Sequence, residues 1–185
     1  VQTDRRKALA LLVYLALSQK PMRREHLADF FWPEFDRGHA FAYLRRTLWE
    51  INQMLGEGWL EAGRELVELR QRGEIWLDAQ DFSCKAAQAG NLPALEAAAA
   101  LYEGDFMAGF SLRDSPSFEQ WQLEQSEMLR LQATQALGAL SQAYAAEKRF
   151  EKAVEVVRLW LIVDALDEEA HRQLMLLHAA SGRRS

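Results

Sequence analysis

The chain has little that could staple, anchor or metallate it. Cys84 is the single cysteine in 185 residues, so no internal disulfide can form. Its amphipathic surroundings (DFSCKAAQ) mark it as a packing residue. No apolar run reaches the roughly 18 residues that suggest a membrane span. The start, VQTDRRKALALLVYLALSQ, puts basic residues ahead of an apolar run, as a signal peptide does. Its apolar positions keep a helical period, however, and no small-residue cleavage site follows. The four histidines, His26, His39, His171 and His178, make no HExxH pattern and no Cys/His cluster, which argues against zinc. There is no GxxxxGK[ST] phosphate loop and no Ser-His-Asp order, and no isolated carboxylate pair stands out among the 27 acids. The absences point away from an enzyme, a metal site or a cofactor. They leave a soluble, cytoplasmic, non-enzymatic protein with no membrane partner as the expectation.

What is present is enough apolar material, 49% of the chain, for one large core or two small ones. The net charge of −5 is not that of a protein coated for nucleic acid. It is unevenly spread. Residues 1–56 carry nine Lys/Arg against six Asp/Glu, a net +3, which leaves −8 on the rest. A basic head on an acidic body fits that split.

The head is organised around GHAFAYLRRTLWEINQML, residues 38–55. Phe41, Leu44, Leu48, Ile51 and Leu55 are spaced by threes and fours and draw one apolar stripe down a helix. Tyr43, Arg46, Glu50 and Gln53 face the other way, with Arg45 on the flank. Such a helix can lie on another polymer, and Arg offers guanine a bidentate bond in the major groove. Tyr43 suits a phosphate or a thymine methyl. The competing reading is an ordinary surface helix with an Arg46–Glu50 ion pair. Trp49 flanks the stripe and is expected to pack.

Two helices come first. One is capped by Thr3, carries Asp4 in its first turn and ends at Gln19-Lys20-Pro21. The other runs from about Arg23 to Phe31, where Arg23 and Arg24 at a helix start favour phosphate. WPEFDRG then forms a loop, and Gly56 and Gly58 stop the third helix. After Gly58 the period drops to two. Trp59–Ala62, Glu65–Leu69 and Ile75–Leu77 read as short strands, with turns at Gly63-Arg64 and Gly73. Three helices and a hairpin make a winged helix-turn-helix, with Arg64 near the wing tip for phosphate or a minor groove. From Asp81 onward there is no strand signal. Helices are expected after Asn91-Leu92-Pro93, from Ser115-Pro116 to about Ala146, from Phe150 to Val163 and from Asp167 to Ala180. Phe118, Trp121, Met128, Leu137, Leu140 and Tyr144 are the expected anchors of the long one.

Leu137, Leu140, Tyr144, Phe150, Ala153, Val157 and Trp160 fall at the spacing of a tetratricopeptide repeat, a helix pair of ~34 residues with small and large residues alternating at its seam. His171, Leu174 and His178 would be in register in a partial second repeat. The fold expected is therefore mainly α: a winged helix-turn-helix with a small β-hairpin wing over residues 1–78, then an all-α tetratricopeptide-like domain over 79–185.

RRKALALLVYLAL, RREHLADFFWPE, AYLRRTLWEINQMLG, LYEGDFMAGFSLRDSPSFEQW and LDEEAHRQLM cover most of the chain in order. Together they resemble the SARP-type antibiotic regulatory family, in which a response-regulator type winged helix is joined to a bacterial transcriptional activator domain. The resemblance implies sequence-specific DNA binding and transcription activation in contact with RNA polymerase. It also implies that the loop between the second and third helices, with Trp32, Glu34 and Asp36, faces the polymerase, although Trp32 could equally plug the core. Double-stranded DNA, RNA polymerase and a second copy of the chain on repeat sites are the expected partners. Winged helices of this type begin with a small sheet, whereas this chain starts at Val1, just before the first helix. It therefore reads as a trimmed fragment or as a head without that sheet. The alternative function is a helical protein-interaction module of a larger regulator, carrying a winged-helix remnant that no longer binds DNA.

Overall fold

The structure, a computed structural model, describes residues 2–18, 20–56, 58–70 and 75–182. Among these the chain is mainly helical. The helices are α1 (Gln2–Leu17), α2 (Arg24–Phe31), α3 (Arg37–Leu55), α4 (Asp78–Ala86), α5 (Leu92–Leu101), α6 (Pro116–Ala146), α7 (Phe150–Val163) and α8 (Glu168–Ala180). The strands are β1 (Met22–Arg23), β2 (Leu60–Ala62) and β3 (Leu66–Leu69). No helix is long and apolar enough to cross a membrane. The cap expected from Thr3, the first-turn role of Asp4 and the turn at Gly73 lie outside the described residues and side chains.

Two compact units form. One joins Val1–Trp76 to Gly109–Leu123, and the other joins Leu77–Ala108 to Glu124–Ser185. Reading the sequence placed one boundary, between 78 and 79, so the membership of residues 109–123 is new.

In the first unit, α1 and α2 pack on α3. Leu11, Leu15, Leu27, Phe31, Leu44 and Ile51 are fully buried at their meeting. Asp36 starts α3 as its N-cap, its carboxylate accepting from the amides of Gly38 (2.9 Å) and His39 (3.3 Å). Gly56, at φ 89°, ends α3 in a backbone conformation that side chains other than glycine's disfavour. Two of the three expected strands are present, as β2 and β3. The third is not Ile75–Leu77: those residues form no strand, and Leu77 is already the N-cap of α4. The third strand is instead β1, the two residues after Pro21. The sheet order is β1-β3-β2, antiparallel throughout, with Met22 opposite Val67 and Leu60 opposite Leu69. Val67 and Leu69 point inward from β3 with the two-residue period of a strand.

Residues 109–123 complete this core. Ser115, fully buried, donates from its hydroxyl to the Phe30 carbonyl (2.9 Å), 85 residues away in sequence. Phe118 is 0% exposed, with its ring centroid 5.7 Å from Phe31, 5.9 Å from Phe110 and 5.4 Å from Trp121. Lys7, from a basic run that looks solvated in sequence, is 5% exposed. Its ammonium donates to the Phe31 carbonyl (2.9 Å), pairs with Asp114 (3.0 Å) and lies over the Trp32 ring (5.1 Å). A buried ammonium needs such partners to offset its lost hydration.

The second unit is all helix among its described residues. Leu137, Leu140, Tyr144, Ala153, Val157 and Trp160, the repeat-spaced positions, are buried in one cluster with Leu95, Ala170 and Leu177. The helical fold fits a tetratricopeptide-like arrangement. A Cβ on Gly138 would stand 3.2 Å from the Trp160 ring, so glycine permits that approach. The Trp160 indole donates to Asp167 (2.9 Å), which also caps α8. Met128 does not anchor α6. It is exposed, and its neighbour Leu129 enters a cluster with Phe82, Ala98 and Ala133. One residue is about 100° of helix turn, enough to move a position off the buried face.

Candidate functional site

The charged surface of the first unit is assembled from the start of α2, the β2–β3 turn and α3. The Arg24 guanidinium donates through Nε to the Gly63 carbonyl (2.7 Å), and the Arg24 amide donates to the Glu65 carbonyl (2.8 Å). These bonds fasten the hairpin turn to α2 and bring Arg64, exposed at that turn, beside Arg23 and Arg24. Burial lowers the proton affinity of the Arg24 guanidinium, and the positive charge of Arg45 on α3 lowers it further. Like charges kept this close in a folded protein give a surface ready for an anion. Arg23, Arg45 and Arg64 are exposed, and among the described residues none of the three has an ion pair.

Arg46 differs. Its Nε pairs with Glu50 Oε1 at 3.2 Å, the competing arrangement considered from sequence. Tyr43 is at the edge of exposure, stacked on Trp32 (6.4 Å, 17° between planes) and tilted against Phe35 (4.8 Å). Its ring is largely committed to packing.

α3 is also rotated from its expected setting. The buried residues are Ala40, Leu44, Thr47, Leu48 and Ile51, while Phe41 and Leu55 are only half-buried. A stripe shifted toward Ala40 and Thr47 centres the outer face on Ala42, Arg45, Arg46, Trp49 and Gln53, all exposed. Trp49, expected to pack, is 62% exposed and lies in the middle of that face. The signal that could have found it is the small, buriable pair Ala40 and Thr47, which a count of large apolar residues passes over.

The loop before α3 has structural duties. Trp32 is 4% exposed, held by Phe31, Tyr43 and Lys7, so it is a core plug and not a contact residue. Glu34 lies 3.8 Å from the Lys7 ammonium. Asp36, besides capping α3, bonds the His39 ring. That bond first, and the amides second, hold its carboxyl below the usual carboxylate range. Phe35, 40% exposed, is the aromatic that the loop does present.

Residues 76–185, more than half of the chain, match the model of the bacterial transcriptional activator domain. The chain belongs to the bacterial transcriptional activator domain family. That family is regulatory and not enzymatic, and membership implies a transcriptional activator-type function. No curated protein matches the chain. The activator domain includes residues 109–123, the segment that closes the core of the first unit. Among the described residues, no group of three or more His, Cys, Asp or Glu could hold a metal ion.

Proposed function

We propose that this member of the activator family is a sequence-specific DNA-binding transcription activator, acting in the bacterial cytoplasm through residues 1–78 as a winged helix-turn-helix, with residues 79–185 as its activator domain. The order helix, strand, helix, helix, strand, strand, with β1 on β3, supports that reading of the first unit. The observation that carries it is the tethered cluster of Arg23, Arg24, Arg45 and Arg64. In this reading α3 enters the major groove, Arg45 reads a base, and Arg46, oriented by Glu50, lies on phosphate or a neighbouring base. Arg23 and Arg24 meet phosphate at the start of α2. Arg64 meets backbone from the wing, and Tyr43 grazes a phosphate. RNA polymerase is met by the loop through Glu34, Phe35 and Asp36, and a second copy of the chain binds beside the first on repeat sites.

The test is DNA affinity against salt, on sites selected from a random pool. Each phosphate neutralised releases counterions, so affinity should fall steeply on a log–log plot, by a slope of about 0.9 per contact. Arg45→Ala should cost ~1–3 kcal/mol on the preferred site and flatten preference at one base pair. Arg64→Ala should weaken all DNA alike and reduce the slope by about one unit.

A second reading has its own observation. Ile162 (80% exposed) and Leu166 (88%), with Leu159, Met175 and Leu176, leave apolar surface on the last helices. A helical interaction module would use that surface. A salt slope near zero, with partner binding retained, would favour this alternative.

A further inference from the structure

A tryptophan that could be buried costs little to place; one left 62% exposed at the centre of a basic helix face needs a reason. Trp49 follows Arg45 and Arg46 by one helical turn and precedes Gln53 by another, so these residues share one strip of α3. Ala42, one further turn back, leaves that strip low and accessible. Arg45 on the strip, and Arg24 close enough to feel its charge, set the sign of the surface that the strip can meet.

We propose that Trp49 is a specificity-determining residue that packs its indole on the C5-methyl group of a thymine in the major groove; this rests on the DNA-binding reading of α3. The indole is flat and apolar with a single N–H donor, so it cannot make the bidentate bonds by which polar side chains identify guanine or adenine. The one apolar group that bases present in the major groove is the thymine methyl. Arg45 precedes Trp49 by four residues, about 6 Å of helix at 1.5 Å per residue. One base pair rises about 3.4 Å. The thymine therefore lies one or two base pairs from the position that Arg45 reads.

The experiment uses the full chain and a preferred duplex selected by it from a random pool, at one fixed salt concentration. Each thymine of the site is replaced in turn by deoxyuridine, which lacks only the methyl. At one thymine the replacement should weaken wild-type binding about four-fold, the value of one buried methyl, and should leave Trp49→Ala unaffected. Trp49→Ala should itself bind the original site about ten-fold more weakly, with little change on random DNA and no change in thermal unfolding. If the wild type selects a site yet tolerates deoxyuridine everywhere in it, the thymine contact is wrong and the DNA reading stands. A uniform loss on all DNA makes Trp49 a backbone contact and also overturns the proposal. If the wild type binds no duplex from the pool even at low salt, both readings fall.

Discussion

In the second unit, the repeat-spaced part of the core comes from helices that follow one another, the later part of α6 and then α7, with Ala153, Val157 and Trp160 meeting Leu137, Leu140 and Tyr144, while Leu95 of α5 joins that cluster from further back in the chain. In the first unit, the core of α1, α2 and α3 is closed by Leu112, Ser115 and Phe118, from far along the chain. The first arrangement repeats a local pattern, and its spacing is visible in sequence. The second depends on pairing distant segments, which no local spacing announces. The family-matched region thus includes a piece of the first unit's core.

The largest test of this contrast is Phe118→Ala. A fully buried ring lost from a packed aromatic cluster costs about 3–5 kcal/mol. The loss should be localised: hydrogen exchange should speed up in α1, α2 and α3, which are remote in sequence, and DNA affinity should drop with it. If exchange rises only around residue 118, the segment merely covers the first unit and does not complete it.

Lys7→Ala comes next, at about 2 kcal/mol, below the range for a fully buried pair because Asp114 and Glu34 are each over 40% exposed and water can take over part of their pairing. Lys7→Met should recover the packing of the aliphatic stem over Trp32 but not the bond to the Phe31 carbonyl. Thermal unfolding of the two variants separates these contributions. In the second unit Ala153→Leu should overpack the α6–α7 seam by ~1–3 kcal/mol and speed exchange in α6, α7 and α8 alone. An unchanged melting temperature there would mean that the seam is not the tight one implied by the repeat spacing.

The same contrast explains what could be read in advance. Every helix proposed from Asn91 to Ala180 is present, because 3.6-residue periodicity, Asn91 and Asp167 as caps and the repeat spacing are local signals. The hairpin at 60–69 was legible from its two-residue period. The third strand was not, because β1 has only two residues and no periodicity to show. The burial of Lys7 is hidden for a related reason: a lysine in a basic run looks exposed until Asp114 is brought to it, whereas Trp32, open between contact and core plug in the sequence, is a plug packed by Tyr43 and Lys7. On α3 the helix and most of its buried stripe were legible, but the stripe was weighted by size. Ala40 and Thr47 turned it, and Trp49 came to the surface with Arg45.

The smallest effect expected concerns Asp36, which is exposed and joins the loop to the helix that carries Arg45 and Trp49. Its folded carboxyl is held below its ordinary value by the His39 ring and by the Gly38 and His39 amides. A group whose folded value is depressed stabilises the fold fully above its unfolded value, about 3.9 for Asp, and loses that contribution as pH falls through the lower folded value. Asp36→Ala should therefore melt slightly below the wild type at about pH 7, and the gap should be unchanged down to about pH 5 and close only in stronger acid. The variant should also fray the first turn of α3, seen as faster exchange of the Gly38 and His39 amides, while Arg45 and Trp49, about two and three turns further on, keep their setting and DNA preference is retained. A gap that has already closed at about pH 5 would overturn the assignment of the stabilisation to the Asp36 carboxylate.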